Sequence, residues 1–211
     1  MLLTTQEFKA IFAAWAQVMG DNKTYLIDLD SVVGDGDLGL TMSDGFAAAA
    51  KNAQEQTGDD LGNLFYFAGK AMATAVPSTM GTLMASGLME VGKALKKSAG
   101  LDLTEFYKVP EAFMNGVMSR GKAKVGDKTV LDGLYPAVEA LKKASPGCDM
   151  AAILDEASRQ AAEGAQNTTT MLAVHGRAAT RGEQSRTLLD PGAVVAKLLV
   201  EAACGYLKTL L

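Results

Sequence analysis

Apolar residues return at helical spacing in about eight separate segments, each bounded by capping or breaking residues, and this pattern constrains the fold more than any other feature. Thr4 and Glu7 form a capping box ahead of Phe8, Ile11, Phe12, Trp15, Val18 and Met19, which share one helical face as far as Gly20. A second helix is expected from Gly39 to about Gln54, and a third from Asp59 or Asp60 until Pro77 stops it. The turn Ser78-Thr79-Met80-Gly81 opens a fourth helix running to about Lys97, and Thr104 is expected to cap a fifth that ends at Arg120-Gly121. Gly126-Asp127-Lys128-Thr129 opens a sixth, and a seventh runs from about Asp149 into Asn167-Thr168-Thr169-Thr170. The eighth has the strongest start, with Asp190 as N-cap and Pro191 at the first helical position.

Composition agrees with an all-α fold. The apolar share is 48%, yet only 6% of residues are aromatic, so the surplus lies in alanine, leucine and methionine, which favour helix over strand. A chain of 211 residues can bury a full core, and one domain over residues 1–211 is expected. A net charge of -4 gives no electrostatic footprint for nucleic acid or an anionic membrane. No apolar run reaches the roughly 18 residues that span a bilayer, and the N-terminus lacks a basic region followed by an apolar one, so a cytoplasmic protein is expected. Cys148 and Cys204 stand far apart in no metal-spaced cluster, and Cys204 reads as a small buried side chain.

The chemistry is expected between the first and second of these helices. Asp30, Asp35 and Asp37 fall within eight residues, punctuated by Gly34, Gly36 and Gly39. Three carboxylates in one glycine-rich turn repel one another unless a hard cation sits between them, and oxygen-only ligands suit magnesium or calcium. A helix N-terminus directly after the motif adds an anion-binding end, which points to a metal-phosphate site. Simple helix capping by Asp30 or Asp37 is the plain alternative. An EF-hand would need a bidentate glutamate where this chain has Phe46, and is rejected. Asp28-Leu-Asp30-Ser-Val32 also fits the nucleophile signature of haloacid-dehalogenase-type phosphatases, a reading that needs a strand here and alternating strands and helices downstream. Between Gly176 and Leu189, Arg177, Arg181 and Arg186 form a basic loop that can lie over an anion or remain a solvated connection.

Four motifs in order carry a family resemblance: Asp30-x4-Asp35-x-Asp37-x-Gly39, Arg120-Gly-Lys-Ala123 with Gly126-Asp-Lys-Thr129, Gly176-Arg-Ala178, and Asp190-Pro-Gly192. Over essentially its whole length the chain resembles the nucleotide-binding L subunit of dihydroxyacetone kinases. The resemblance implies a barrel of eight antiparallel amphipathic helices with the nucleotide site at one end. It implies that Asp30, Asp35 and Asp37 hold two magnesium ions bridging the phosphates of ADP or ATP. It also implies that the backbone of Leu38, Gly39, Leu40 and Thr41 and of Thr79 and Met80 approaches those phosphates, and that Gly121 and Val130 line the adenine pocket. Arg177 and Asp190-Pro191-Gly192 would close over the nucleotide, with no catalytic side chain on this chain beyond the metal-nucleotide centre.

The implied activity is phosphoryl transfer to dihydroxyacetone or a related small ketose held by a partner subunit. The donor would be a phosphotransferase-system subunit that recharges bound ADP, or ATP itself; no nucleic acid or membrane partner is expected, and a homodimer is left open. The chain departs from the family pattern at Leu38 and Thr41, where histidine and asparagine are usual, at Pro77-Ser-Thr-Met-Gly81 in place of a Gly-Gly-Ala-Ser-Gly-type loop, and at Leu188 in place of a histidine. Those departures motivate an alternative, a non-catalytic regulatory paralogue.

Overall fold

The computed structural model describes residues 1–211. The chain is all-α: α1 (Thr5–Asp21), α2 (Lys23–Val33), α3 (Leu38–Glu55), α4 (Leu61–Ala75), α5 (Thr79–Ala94), α6 (Lys108–Gly121), α7 (Val130–Leu141), α8 (Met150–Asn167), the short α9 (Gly176–Ala179) and α10 (Pro191–Lys208). Its only sheet is a two-residue antiparallel pair, β1 (Leu2–Leu3) with β2 (Leu101–Asp102). No helix is long and apolar enough to cross a membrane.

Neighbour relations among the long helices close on themselves. α1 packs on α3, α3 on α4, α4 on α5, α5 on α6, α6 on α7, α7 on α8, α8 on α10, and α10 returns to α1. These are the eight helices expected from periodicity, with α2 and α9 in addition. Inside the ring Phe8, Phe12, Trp15, Phe46 and Phe65 pack edge-on or tilted, with centroids 5.1–6.1 Å apart. The Trp15 indole nitrogen donates to the Leu199 carbonyl at 2.9 Å, joining the first ring helix to the last. Cys204 is buried in α10, and the apolar surroundings push its thiol up to about 12.

Local signals explain most boundaries. Thr4 caps α1 in the expected box with Glu7, Asp60 caps α4, and Asp190 caps α10 with Pro191 inside its first turn. Thr129 accepts from the Leu131 amide and Asp132 reaches back to Thr129, so the Gly126–Thr129 turn does open α7. Two boundaries differ. α5 ends at Ala94 instead of near Lys97, which stands in a left-handed conformation past the helix. Thr104 does not cap α6; it donates to Asp102, the cap of a 3-10 turn over Leu103–Glu105, and α6 begins only at Lys108.

The larger correction concerns the acidic segment. Residues 23–33, expected as the start of a loop, form α2, so Asp30 sits in the last helical turn and not in a glycine turn. The helix buries only Leu26 and Val33, too few to leave a periodic stripe in the sequence. Asp28 and Asp30 are therefore helical, which overturns the phosphatase reading, since that chemistry needs its nucleophile at the end of a strand.

Candidate metal and phosphate site

Where α2 stops and α3 starts, the chain brings one carboxylate oxygen from each of Asp30, Asp35 and Asp37 within 4.8 Å of one another. Asp30 is presented by the final turn of α2, while Asp35 and Asp37 come from the four-residue link to α3. Two glycines make this geometry. Gly36 adopts φ +73°, the left-handed region that other residues enter at a cost, and a Cβ there would strike the Ser31 hydroxyl. Gly39 lies where α2 and α3 cross, and a Cβ on it would collide with the Lys23 carbonyl oxygen and sit 2.9 Å from the Ile27 amide nitrogen. The missing side chain lets the two helices touch, which sets Asp30 against the other two carboxylates. The Leu38 amide, first in α3, points at Asp30 Oδ2 from 3.4 Å.

Electrostatics mark the cluster as short of positive charge. The Asp37 carboxyl is raised above its ordinary value by partial desolvation, then by the negative charges of Asp35 and Asp30. One cation answers from far along the chain: Arg177 Nη2 donates to Asp35 Oδ2 at 2.5 Å. The donor set is all oxygen and closely grouped, and it fits a hard divalent cation such as magnesium.

The carboxylates lead into the N-terminus of α3, and further helix N-termini connect to that one in turn. Thr41 in the first turn of α3 directs its hydroxyl to Ser78 Oγ at 3.4 Å, and Ser78 caps α5 by accepting from the Gly81 amide at 3.0 Å. A Cβ on Gly192 in the first turn of α10 would lie 3.2 Å from both the Met80 methyl of α5 and the Val130 amide of α7. The starts of α3 and α5, of α5 and α10, and of α10 and α7 thus adjoin, and each start carries the positive end of a helix dipole. Such an end suits phosphate oxygens.

The residues singled out from sequence divide by what they expose. Leu40 and Thr79 are exposed, Met80 is half-buried, and Gly121 at the end of α6 faces the Leu83 side chain. Leu38, Thr41 and Val130 are buried. The Asp190 carboxylate accepts from the Ala193 amide at 2.7 Å; burial pushes its pKa up to about 7, Asp132 adding to the rise and Lys128 opposing it.

Sequence reasoning missed the fastening of the loop that carries Arg177. Lys128 is 2% exposed and donates to the carbonyls of Met171, Ser185 and Arg186. Burial lowers its pKa, with Asp190 resisting and Arg186 reinforcing the fall. Next to it, Asp127 pairs its side chain with His175 at 3.0 Å and accepts at its carbonyl from the Val174 amide. In a Gly-Asp-Lys-Thr turn these residues read as solvated helix-start residues, and nothing local announces that both are buried.

The DAK2 domain model matches residues 32–205. The chain is 33% identical over 192 residues to the PEP-dependent dihydroxyacetone kinase ADP-binding subunit DhaL of Escherichia coli K12, covering 89% of this chain and 91% of that one. It is 35% identical over 182 residues to the corresponding subunit of PEP-dependent dihydroxyacetone kinase 1 of Listeria innocua, covering 86% of each. Among solved structures, the dihydroxyacetone kinase of C. freundii in complex with AMP-PNP and Mg2+ superposes with a TM-score of 0.71 at 25% identity; the match takes in 93% of this chain but 33% of that longer one. The chain belongs to the DAK2-domain family, alongside the nucleotide-binding subunits of dihydroxyacetone kinases.

Proposed function

We propose that this chain, acting over residues 1–211 as one unit, is the ADP- or ATP-binding subunit of a kinase for dihydroxyacetone or a related small ketose. The observation that carries the reading is the grouping of Asp30, Asp35 and Asp37 within 4.8 Å at the N-terminus of α3. The ADP-binding role of the relatives from E. coli and L. innocua supports it, as does a structural neighbour holding AMP-PNP and Mg2+.

In this reading the three aspartates hold two Mg2+, whose positive charge offsets that of the nucleotide phosphates and of the phosphoryl group in transfer. The amides of Leu38 to Thr41 and of Thr79 and Met80 orient the phosphates. Gly121 and Val130 line the adenine pocket, while Arg177 and Asp190-Pro191-Gly192 close over the nucleotide. The chain contributes position and charge and no covalent step. The accepting hydroxyl belongs to a ketose on a partner subunit, and a phosphotransferase-system subunit supplies the phosphoryl group in the cytoplasm.

Titration calorimetry tests this. Wild type should bind ADP with micromolar or tighter affinity only when Mg2+ is present, and Asp35→Asn should abolish that binding. A wild-type chain that binds no nucleotide at any Mg2+ concentration refutes the proposal.

One observation favours a second reading. Leu38 and Thr41, where the family has polar residues, turn their side chains into the protein, 5% and 6% exposed. A regulatory paralogue would bind Mg-nucleotide yet support no ketose phosphorylation when supplied with the partner subunits, whereas the kinase subunit supports turnover.

A further inference from the structure

The segment 171–190 leaves the end of α8 and returns to the start of α10. It carries Arg177 across the site to Asp35, 142 positions away in sequence. What holds this segment down is concentrated in two adjacent residues of another loop. The Lys128 ammonium lies 3.2 Å from the Met171 carbonyl, where the segment enters, and 2.5 and 3.2 Å from the Ser185 and Arg186 carbonyls, where it leaves. The Asp127 carbonyl accepts from Val174 at 3.2 Å, and its carboxylate takes the His175 ring. Within the segment, the Ala173 amide donates to Ser185 Oγ, so the two limbs are also tied to each other.

An ammonium has three hydrogens, and here each meets a backbone carbonyl. Lys128 therefore has no donor left for a phosphate, and it is sealed from solvent. Burying an ammonium is expensive, and three carbonyl dipoles aimed at it are what make the position tolerable. The residue also holds φ +61°, a backbone state that non-glycine residues seldom occupy and that the surrounding contacts must impose.

We propose that Lys128 is a positioning residue: by clamping both limbs of the 171–190 segment through their carbonyls, it sets the place of the Arg177 guanidinium over the aspartate cluster, and so the grip on the phosphates of a Mg-nucleotide. The inference rests on the function proposed above. It assigns Lys128 no contact with the nucleotide, and its effect passes through Arg177.

The test uses Lys128→Met, which keeps the length of the stem and removes the donors. Hydrogen exchange of the metal-free protein should show peptides within 171–186 exchanging at least about 10-fold faster than in wild type, with peptides of α1 to α5 unchanged. Calorimetry should show Mg-ADP binding weakened about 10-fold by Lys128→Met and by Arg177→Ala, and no further loss in the double variant, because both act through one guanidinium. Unchanged exchange in the segment, or losses that multiply in the double variant, overturns the proposal. Should Lys128→Met fail to fold, Ser185→Ala loosens the same segment while leaving the lysine in place. It should then give a smaller rise in exchange and a smaller loss of affinity, again absent on an Arg177→Ala background, and a loss that persists there counts against the clamp. A wild-type chain that binds no Mg-ADP refutes the functional reading alone, and the exchange comparison still decides whether Lys128 holds the segment.

Discussion

Replacing Gly39 with alanine puts the α2–α3 crossing to a quantitative test. The added Cβ would overlap the Lys23 carbonyl oxygen and stand 2.8 Å from Ile27 Cγ1 and 2.9 Å from the Ile27 amide nitrogen. Ile27 can shift its side chain, but the other two atoms are backbone of α2, so relief requires the helices to separate. Overpacking of this kind costs about 1–3 kcal/mol, and a clash with backbone belongs in the upper half of that range. Alanine returns roughly 1 kcal/mol of helix propensity, which leaves a net loss of about 1–2 kcal/mol. In a chain of this size that lowers Tm by roughly 2–8 °C. Gly20 is the control: it is helical in α1, with open space for at least 4 Å around the position a Cβ would take, so Gly20→Ala should be neutral or stabilise by up to about 1 kcal/mol. Because α2 carries Asp30 and α3 follows Asp37, separation also opens the carboxylate cluster. Urea denaturation gives the stability difference, and Mn2+ titration gives the second effect, an affinity lowered at least about 10-fold, since metal ligands tolerate only a few tenths of an ångström. A Gly39→Ala protein as stable as wild type with unchanged Mn2+ affinity would show that the crossing does not set the site.

Other consequences are open to measurement. Trp15→Phe removes the 2.9 Å bond to the Leu199 carbonyl and enlarges a small apolar cavity of about 50 Å³ that Trp15 helps line, so stability by circular dichroism should fall by about 2–3 kcal/mol, and a loss under about 0.5 kcal/mol would refute the joint. Asp190, held near 7 by burial, has a folded pKa above its unfolded value near 4, so the folded state binds the extra proton and stability drains as pH rises from about 4 to about 7. Asp190→Asn keeps the N-cap and should flatten that part of the wild-type pH profile; identical profiles would place the carboxyl in a more solvated setting.

The ring helices were legible in sequence because each carries its own stripe and its own punctuation, as with Thr4 and Glu7 for α1 or Asp190 and Pro191 for α10. α2 was not, because it lies outside the ring against α3 and buries little. Its aromatic Tyr25 and apolar Val32 stay exposed, and the glycines that follow look like the continuation of a loop. The spacing of the three aspartates led to the expectation of a cation site, and the structure groups their carboxylates although one comes from a helix. What the sequence could not disclose were meetings between distant segments. The approach of Arg177 to the site was implied by the family resemblance, but its pairing with Asp35 and the reach of Lys128 to Ser185 are encoded by no local pattern, and a lysine in a polar turn looks solvated until its carbonyl partners are in place.

The ring has a bearing on how the molecule comes into being. Its closing contact joins α1 to α10, and the Trp15–Leu199 bond within it links residues 184 positions apart. Until α10 is in place, α1 has α3 and α8 has α7 as neighbours, but the faces of α1 and α8 that meet α10 stay uncovered. Forming that contact carries the entropy cost of closing a loop that spans most of the chain. Substitutions along the α1–α10 seam, which lies between helices far apart in sequence, should therefore lower soluble yield before they affect ligand binding.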